Sequence, residues 1–155
     1  MKTPDEIYAI LEKLNCQVKE NLRKKGVVVP IRQNNETICI GKYIVKKNNH
    51  NFYRIVDQKD RTIIDMINLP QTAILLANKL ELGKWIDTDL LQNDKKYGYF
   101  LFDEVAHNKT AKFNIRKKNH DKAEIMFNKS EIAKHRKEYY KNSIVRDFQK
   151  LIDFR

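Results

Sequence analysis

The end of the chain carries a heptad pattern that predicts one long helix over residues 121–153. Between residues 122 and 142 a cation, a carboxylate and an apolar residue recur in the same order at intervals of seven residues. The three repeats are Lys122-Ala123-Glu124-Ile125, Lys129-Ser130-Glu131-Ile132 and Arg136-Lys137-Glu138-Tyr139. At about 1.5 Å per residue such a helix is about 45–50 Å long. Because a compact domain of 155 residues needs no helix of this length, we expect it to form a hairpin with the helical segment before it.

At about 3.6 residues per turn, the apolar residues of these repeats form two adjacent rows on the helix. One row contains Ile125, Ile132 and Tyr139, and the other contains Met126, Ala133 and Tyr140. Lys129 and Arg136 fall between the rows, whereas the three glutamates lie on the opposite side. A regular coiled coil does not show this pattern, because its second core position would here be polar. The repeats therefore predict a mixed cationic and apolar face, followed after Tyr140 by an ordinary amphipathic stripe that packs on protein.

Two interpretations of the mixed face remain open at this point. In the first, the stems of Lys129 and Arg136 lie over the preceding helix while their charged heads reach water. In the second, the face binds phosphate or carboxylate groups of a partner, with Tyr139 or Tyr140 beside the charge. The candidate residues for binding a polyanion or a protein partner are Lys109, Lys112, Arg116, Lys117, Lys118, Lys122, Lys129, Arg136 and Tyr140.

The predicted hairpin is the basic part of a basic protein. The formal net charge is +11, from 31 Lys and Arg residues against 20 Asp and Glu residues. Over residues 105–141 eleven Lys and Arg stand against four Asp and Glu, a surplus of seven. Such a surplus favours polyanionic partners, namely nucleic acid, an acidic membrane or an acidic protein surface. An AT-rich genome, in which Lys and Asn codons are over-used, would account for part of the same surplus.

The chain opens with a strong helix pattern that ends at Gly26. Thr3 and Pro4 suit the cap and the first turn of a helix. Apolar residues then recur at spacings of four, three, four and four residues from Ile7 to Leu22, which gives one apolar stripe. We expect this stripe to cover one face of the sheet that follows, because a small sheet is only marginally stable alone.

Short β-branched runs and tight turns fill residues 27–65 and predict an antiparallel meander of three or four strands. One of the turns is predicted over residues 33–36. A second helix follows from Asn68 to Gly83, and its uniformly apolar composition predicts that it is the best buried helix of the chain.

The predicted fold class is therefore α+β. Residues 1–86 form a core in which an N-terminal helix, a small antiparallel meander and a buried second helix pack together. Residues 87–155 form a basic helical hairpin that packs on the core or projects from it. Trp85 is expected to pack where the two parts meet, and Gly98 is a weak point in the first helix of the hairpin.

The residue types needed for catalysis or metal binding do not occur at the required spacings. The four glycines are isolated, so the sequence contains no glycine-rich phosphate loop. Cys16 and Cys39 are 23 residues apart, and no two histidines stand at helical ligand spacing, so no zinc pattern is present. Asp57, Asp60 and Asp65 could gather a metal ion, but the first two flank a turn, where Asp is expected for local hydrogen bonding. We predict no enzymatic activity, no metal site and no cofactor.

Cysteine usage and hydropathy predict a cytoplasmic protein. The two cysteines lie among apolar neighbours and indicate buried thiols in a reducing compartment rather than a disulfide framework. No apolar run approaches the roughly 20 residues of a membrane span. The N-terminus also lacks the apolar core of a signal peptide. We expect neither a membrane partner nor a small-molecule substrate.

Three short runs carry a likeness to a known group of proteins. They are NLRKKGVVVP (residues 21–30), INLPQTA (residues 67–73) and Tyr140-Lys141-Asn142. These runs resemble small uncharacterised proteins of T4-type phages that infect marine bacteria, and the likeness spans most of the chain. It implies a phage protein in the host cytoplasm, with incorporation into the virion as a minor component. It implies no site residues, because these runs only mark where helices and strands begin or end.

Three functions remain open after the sequence has been read. The first is a non-catalytic structural protein of an assembly, a minor component of a phage particle, that docks on other protein chains through its amphipathic basic arm. The second is a nucleic-acid-binding protein that uses the basic hairpin on DNA or RNA. The third is a small enzyme or an inhibitor acting on the host, which no motif supports. We favour the first because of the long arm, the lack of catalytic signatures and the resemblance.

Overall fold

A computed structural model of the protein describes residues 31–34, 37–84, 86 and 88–152. Within these residues five strands are followed by three helices, which confirms the α+β class. The strands are β1 (Ile31–Asn34), β2 (Thr37–Ile40), β3 (Tyr43–Lys47), β4 (Tyr53–Val56) and β5 (Thr62–Ile67). The helices are α1 (Pro70–Glu81), α2 (Thr88–Arg116) and α3 (His120–Ile152). The predicted N-terminal helix, residues 27–30 of the predicted meander and Trp85 lie outside the described residues.

The strands form one antiparallel sheet in which each strand pairs with the next along the chain. Ile38, Val45, Ile55 and Ile64 lie directly opposite one another across β2, β3, β4 and β5. Because side chains alternate between the two faces of a strand, this register places the four residues on one face. Val45 and Ile55 are buried there with α1, so the register fixes which face of the sheet meets the helices.

The predicted turn over residues 33–36 is wrong in its first half. Gln33 and Asn34 belong to β1, and Asn34 pairs with Thr37 of β2 after an irregularity in the register. Asn has a low strand propensity, but propensity in a sheet depends on context, and pairing with the neighbouring strand decides here. The described sheet also has five strands, where three or four were predicted.

Helix α1 is the best buried of the three described helices, in agreement with its apolar composition. Residues 71–78 are all buried, and Pro70 occupies the first turn, where a missing N–H costs nothing. Leu69, the residue that caps α1, offers no side-chain hydrogen bond to the helix. At the other end Gly83 has a φ of 65°, the left-handed conformation that terminates many helices.

A buried carboxylate on α2 joins the start of α1 to the hairpin. One Asp94 oxygen accepts the backbone N–H of Leu69 at 2.9 Å, and the other accepts that of Asn68 at 2.8 Å. The Asn68 side chain also donates to the Asp94 carbonyl at 3.1 Å. Gly98 permits this contact, because a Cβ at that position would lie 2.5 Å from the Asn68 amide nitrogen. The glycine that was expected to be a weak point therefore leaves room for the Asn68 side chain.

The base of the hairpin shares the core of the sheet and α1. Leu90 and Tyr97 of α2 and Ile144 and Phe148 of α3 belong to the same buried cluster as the sheet residues. Burial of each large apolar side chain contributes about 1.5–3 kcal/mol. Among the described residues, the core members on the hairpin lie only within 90–101 and 140–151. At about 1.5 Å per residue, the arm therefore extends about 25 Å beyond the core.

The long helix begins one residue before the predicted start at residue 121, and the turn of the hairpin, residues 117–119, lies about two residues before the break predicted at Asn119-His120-Asp121. Helix α2 ends at Arg116, and α3 begins at His120. Lys118 has a φ of 58°, and the N–H groups of Lys118 and Asn119 donate to carbonyls of the last turn of α2. This is the Schellman arrangement, with a lysine at the position that usually holds glycine. The Asn119 side chain then caps α3 by accepting the Lys122 N–H at 3.3 Å.

Candidate docking interface on the helical hairpin

The two helices of the hairpin meet along a seam of small and polar residues. On α3 a row of shielded residues recurs every seven positions, Ala123, Ser130, Lys137 and Ile144, and Ser130 and Lys137 of this row contact Glu104 of α2. Ala133 is buried beside them, and α2 contributes the buried Ala111 and Asn114. Small side chains allow two helices to approach closely, so the distal seam closes without large apolar residues.

One ion pair lies inside this seam. The Lys137 Nζ is 2.6 Å from a carboxylate oxygen of Glu104, and the Lys137 side chain is only 13% exposed. The Ser130 hydroxyl donates to the backbone carbonyl of Glu104 at 3.0 Å. Burial by itself lowers the pKa of Lys137, but the hydrogen bond and the charge of Glu104 outweigh burial and raise this pKa above its ordinary value. The pair therefore fixes the register of α3 against α2 at mid-arm.

The first apolar row of the heptads is largely exposed. Ile125 and Ile132 are each 53% exposed, and Tyr139 is 70% exposed. Lys129 and Arg136, which fall beside this row on the helix, are exposed as well. We call these five residues the α3 outer face. Since more than half of each large apolar side chain on this face is exposed, packing within the described chain covers this face only in part.

Aromatic side chains border the α3 outer face. Phe100 of α2 stacks on Tyr140, with ring centres 5.8 Å apart and planes 6° from parallel. The Arg136 guanidinium lies 5.7 Å from the centre of the Phe100 ring. Lys96 lies 5.3 Å from the centre of the Tyr140 ring on the same part of the arm. The Arg136 side chain thus lies beside the preceding helix, which agrees with the first interpretation of the mixed face.

A shallow depression of about 140 Å³ lies between the helices beside this aromatic stack. Its lining residues are Phe100, Asp103 and His107 of α2 and Lys129, Ile132, Ala133 and Arg136 of α3. The lining thus combines apolar side chains with the two cations Lys129 and Arg136, and it also contains the Asp103 carboxylate. The apolar part suits an apolar side chain, and the two cations suit a carboxylate beside it. The sequence pointed to Lys129 and Arg136 but not to Phe100, because a helical wheel of α3 does not show which α2 residues stand opposite.

The other six predicted site residues lie together at the far end of the arm. Lys109, Lys112, Arg116, Lys117, Lys118 and Lys122 are all exposed. Within the described part of the chain, none of them forms an ion pair with a carboxylate. Lys117 lies 5.6 Å from the centre of the exposed Phe113 ring. The structure therefore divides the nine predicted residues into an end group of six and a mid-arm group of three, Lys129, Arg136 and Tyr140.

The aspartates of the sheet turns serve local structure. Asp57 accepts the backbone N–H of Arg61 and pairs with its guanidinium at 2.8 Å, and Asp60 pairs with Lys46 at 2.8 Å. The backbone hydrogen bond from Arg61 lowers the pKa of Asp57, and the hydrogen bond from Lys46 lowers the pKa of Asp60. The described residues contain no group of three or more metal-binding side chains. None of the described helices combines the length and the apolar composition needed to cross a bilayer.

Comparison of the chain with protein-family models, with curated proteins and with solved structures gives no match.

Proposed function

We propose that this protein is a non-catalytic assembly protein, a minor component of a phage particle, that docks on another protein through the α3 outer face. The phage context comes from the resemblance of three sequence runs. The docking role is carried by one observation, the exposed row of Ile125, Ile132 and Tyr139 along a basic arm.

The distribution of exposed apolar side chains supports docking by the arm. Most of the large hydrophobic residues that are exposed in the described chain lie on α2 and α3 rather than on the sheet. Single exposed hydrophobic residues are normal, whereas a contiguous row of them marks an interaction surface. A row at seven-residue spacing also matches the spacing that a partner helix presents in helix-on-helix packing.

Charge complementarity indicates the kind of partner. Lys129 and Arg136 flank the apolar row, and the arm over residues 105–141 has a surplus of seven cations. A second copy of this chain would bring the same positive charge to the contact, and like charges across an interface are unfavourable. The partner that fits is an amphipathic helix of another protein, with an apolar row flanked by Asp or Glu residues.

A display library of helical peptides tests this proposal directly. The library keeps one apolar row fixed and varies the charge of the flanking positions, and full-length protein is the bait. We expect enrichment of acidic amphipathic peptides, and we expect the double variant Ile132→Ser with Tyr139→Ser to weaken their binding at least about tenfold, since two anchors are lost.

The matched control is Phe102→Ser. Phe102 is 72% exposed on α2 and lies outside the α3 outer face. We expect this change to leave the affinity for the enriched peptides within about twofold of the wild type. Absence of enrichment, or an equal loss of binding in the control, would overturn the proposal. Enrichment of basic or neutral peptides would refute the acidic partner.

A further inference from the structure

We infer that the far end of the hairpin is a second, separate site, which binds the phosphodiester backbone of nucleic acid. This hairpin end consists of Lys109, Lys112, Arg116, Lys117, Lys118 and Lys122. It lies on the last two turns of α2, the connecting turn and the first turn of α3. The inference does not rest on the docking face, because different residues carry it.

The hairpin end has the charge distribution that polyanions require. Its six cations are exposed and, among the described residues, form no ion pairs. Asp121 is the one acidic residue between positions 108 and 123. A cluster of unneutralised cations binds nucleic acid because each phosphate contact releases condensed counterions into solution. The distance of this cluster from the core leaves it accessible to a long polymer.

Two of the cations stand where folding disfavours them. Lys118 has a φ of 58°, a conformation that glycine adopts without strain and that costs other residues energy. Lys122 lies in the first turn of α3, at the positive end of the helix dipole, where a cation is unfavourable. Helix stability explains Arg116, which lies at the negative end of α2, but it does not explain these two lysines. Residues that oppose local stability are expected where a ligand requires them.

An exposed aromatic ring favours single strands as the ligand. Phe113 is 54% exposed, and the Lys117 ammonium lies beside its ring. Proteins that bind single-stranded nucleic acid combine backbone-tracking cations with aromatic rings on which unpaired bases stack. A paired base inside a duplex cannot stack on such a ring. We therefore expect single strands to bind more tightly than a duplex of the same length.

The first experiment is fluorescence anisotropy of full-length protein with a labelled random-sequence single-stranded DNA at about 50 and about 200 mM salt. The informative variant is Lys118→Gly, which removes a cation and relieves the left-handed backbone. We expect it to weaken binding about five- to tenfold at low salt and to reduce the salt slope by about 0.7. A loss of binding cannot be assigned to unfolding here, since thermal stability should be unchanged or higher.

The double variant Lys112→Gln with Arg116→Gln extends the series, and Lys42→Gln with Lys59→Gln is its charge-matched control. Lys42 and Lys59 are exposed and lie in turns of the sheet. We expect the first pair to lower both the affinity and the salt slope, and the control pair to leave both near the wild-type values. Equal effects of the two pairs would overturn the inference, as would no binding at low salt or tighter binding to anionic lipid vesicles than to DNA.

The two proposals can fail independently. Ile132→Ser with Tyr139→Ser should leave DNA binding intact, and Lys118→Gly should leave binding of the acidic peptides intact. Loss of DNA binding in the first variant would show that the polyanion contacts the α3 outer face, and that result would overturn a separate site at the hairpin end.

Discussion

The base and the distal part of the helical hairpin pack in different ways. At the base, large residues such as Ile144 and Phe148 are buried against the sheet and α1. In the distal part, Ala111, Ala123 and Ser130 fill the seam, and the large apolar residues face outwards. The same amphipathic helix therefore packs in the core at one end and presents an apolar surface at the other. What covers that surface is not supplied by the described chain.

The largest expected effect on stability distinguishes the base of the hairpin from its distal part. Ile144→Ala should lower the free energy of unfolding by about 3–4 kcal/mol, because the side chain is fully buried and its loss leaves a cavity. Ile132→Ala should lower it by less than about 0.5 kcal/mol, since that side chain already contacts water. Urea unfolding followed by circular dichroism measures both values. Equal losses would mean that Ile132 is buried in solution and would remove the basis of the docking face.

The second prediction concerns the joint between the hairpin and the core. Asp94→Ala should lower the free energy of unfolding by about 3 kcal/mol, because it leaves the backbone N–H groups of Asn68 and Leu69 without their acceptor. Asp147→Ala, an exposed change on α3, is the comparison and should have a much smaller effect. A loss below about 1 kcal/mol for Asp94→Ala would show that water replaces the carboxylate easily at this joint.

The Asp94 carboxylate also makes a pH-dependent contribution to the free energy of unfolding. Burial raises the pKa of Asp94 above its ordinary value of 3.8, although hydrogen bonds from Asn68 and Leu69 oppose the rise. The folded protein then binds this proton more tightly than the unfolded chain does. Its contribution to the free energy of unfolding therefore falls as the pH rises from 3.8 through the raised pKa. Carboxyl-detected NMR titration checks the sign, and a pKa at or below 3.8 would contradict it.

The smallest expected effect lies at mid-arm, between the two regions. Lys137→Met should lower the free energy of unfolding by about 2 kcal/mol, because the Glu104 carboxylate loses its partner inside the seam. The double variant with Glu104→Gln should recover part of this loss in a double-mutant cycle. Lys134→Met, on the exposed side of the same helix, is the control and should stay within about 0.5 kcal/mol.

The ion pair between Lys137 and Glu104 makes its pH-dependent contribution to stability at alkaline pH. Because the pKa of Lys137 is raised in the folded state, its stabilising contribution is complete below the unfolded value of 10.5. The contribution is lost as the pH rises through the folded pKa. The free energies of unfolding of the wild type and of Lys137→Met should therefore converge as the pH rises above the folded pKa of Lys137. If the two free energies differ by the same amount up to the most alkaline pH, the ion pair does not stabilise the contact between α2 and α3.

Much of the candidate site follows from the sequence. The nine predicted residues all lie on the hairpin, and the turn at residues 117–119 groups six of them at one end. The seam was harder to predict, because periodicity gives the angle between rows but not the direction from which the neighbouring helix approaches. Lys137 was therefore missed, although its recurrence with Ala123 and Ser130 at seven-residue spacing was available as a signal.

The class of the fold, the buried helix α1, the start of the long helix to within one residue and the basic character of the arm all follow from the amino-acid sequence. These features depend on local periodicity, on helix-ending residues and on summed charge, all of which can be read along the chain. The folded structure is needed to show that Gln33 and Asn34 belong to a strand, that Gly98 leaves room for Asn68, and that Ile132 is more than half exposed. Each of these outcomes depends on residues distant in sequence, since strand pairing, close packing and the choice of a buried helix face are set by what stands opposite.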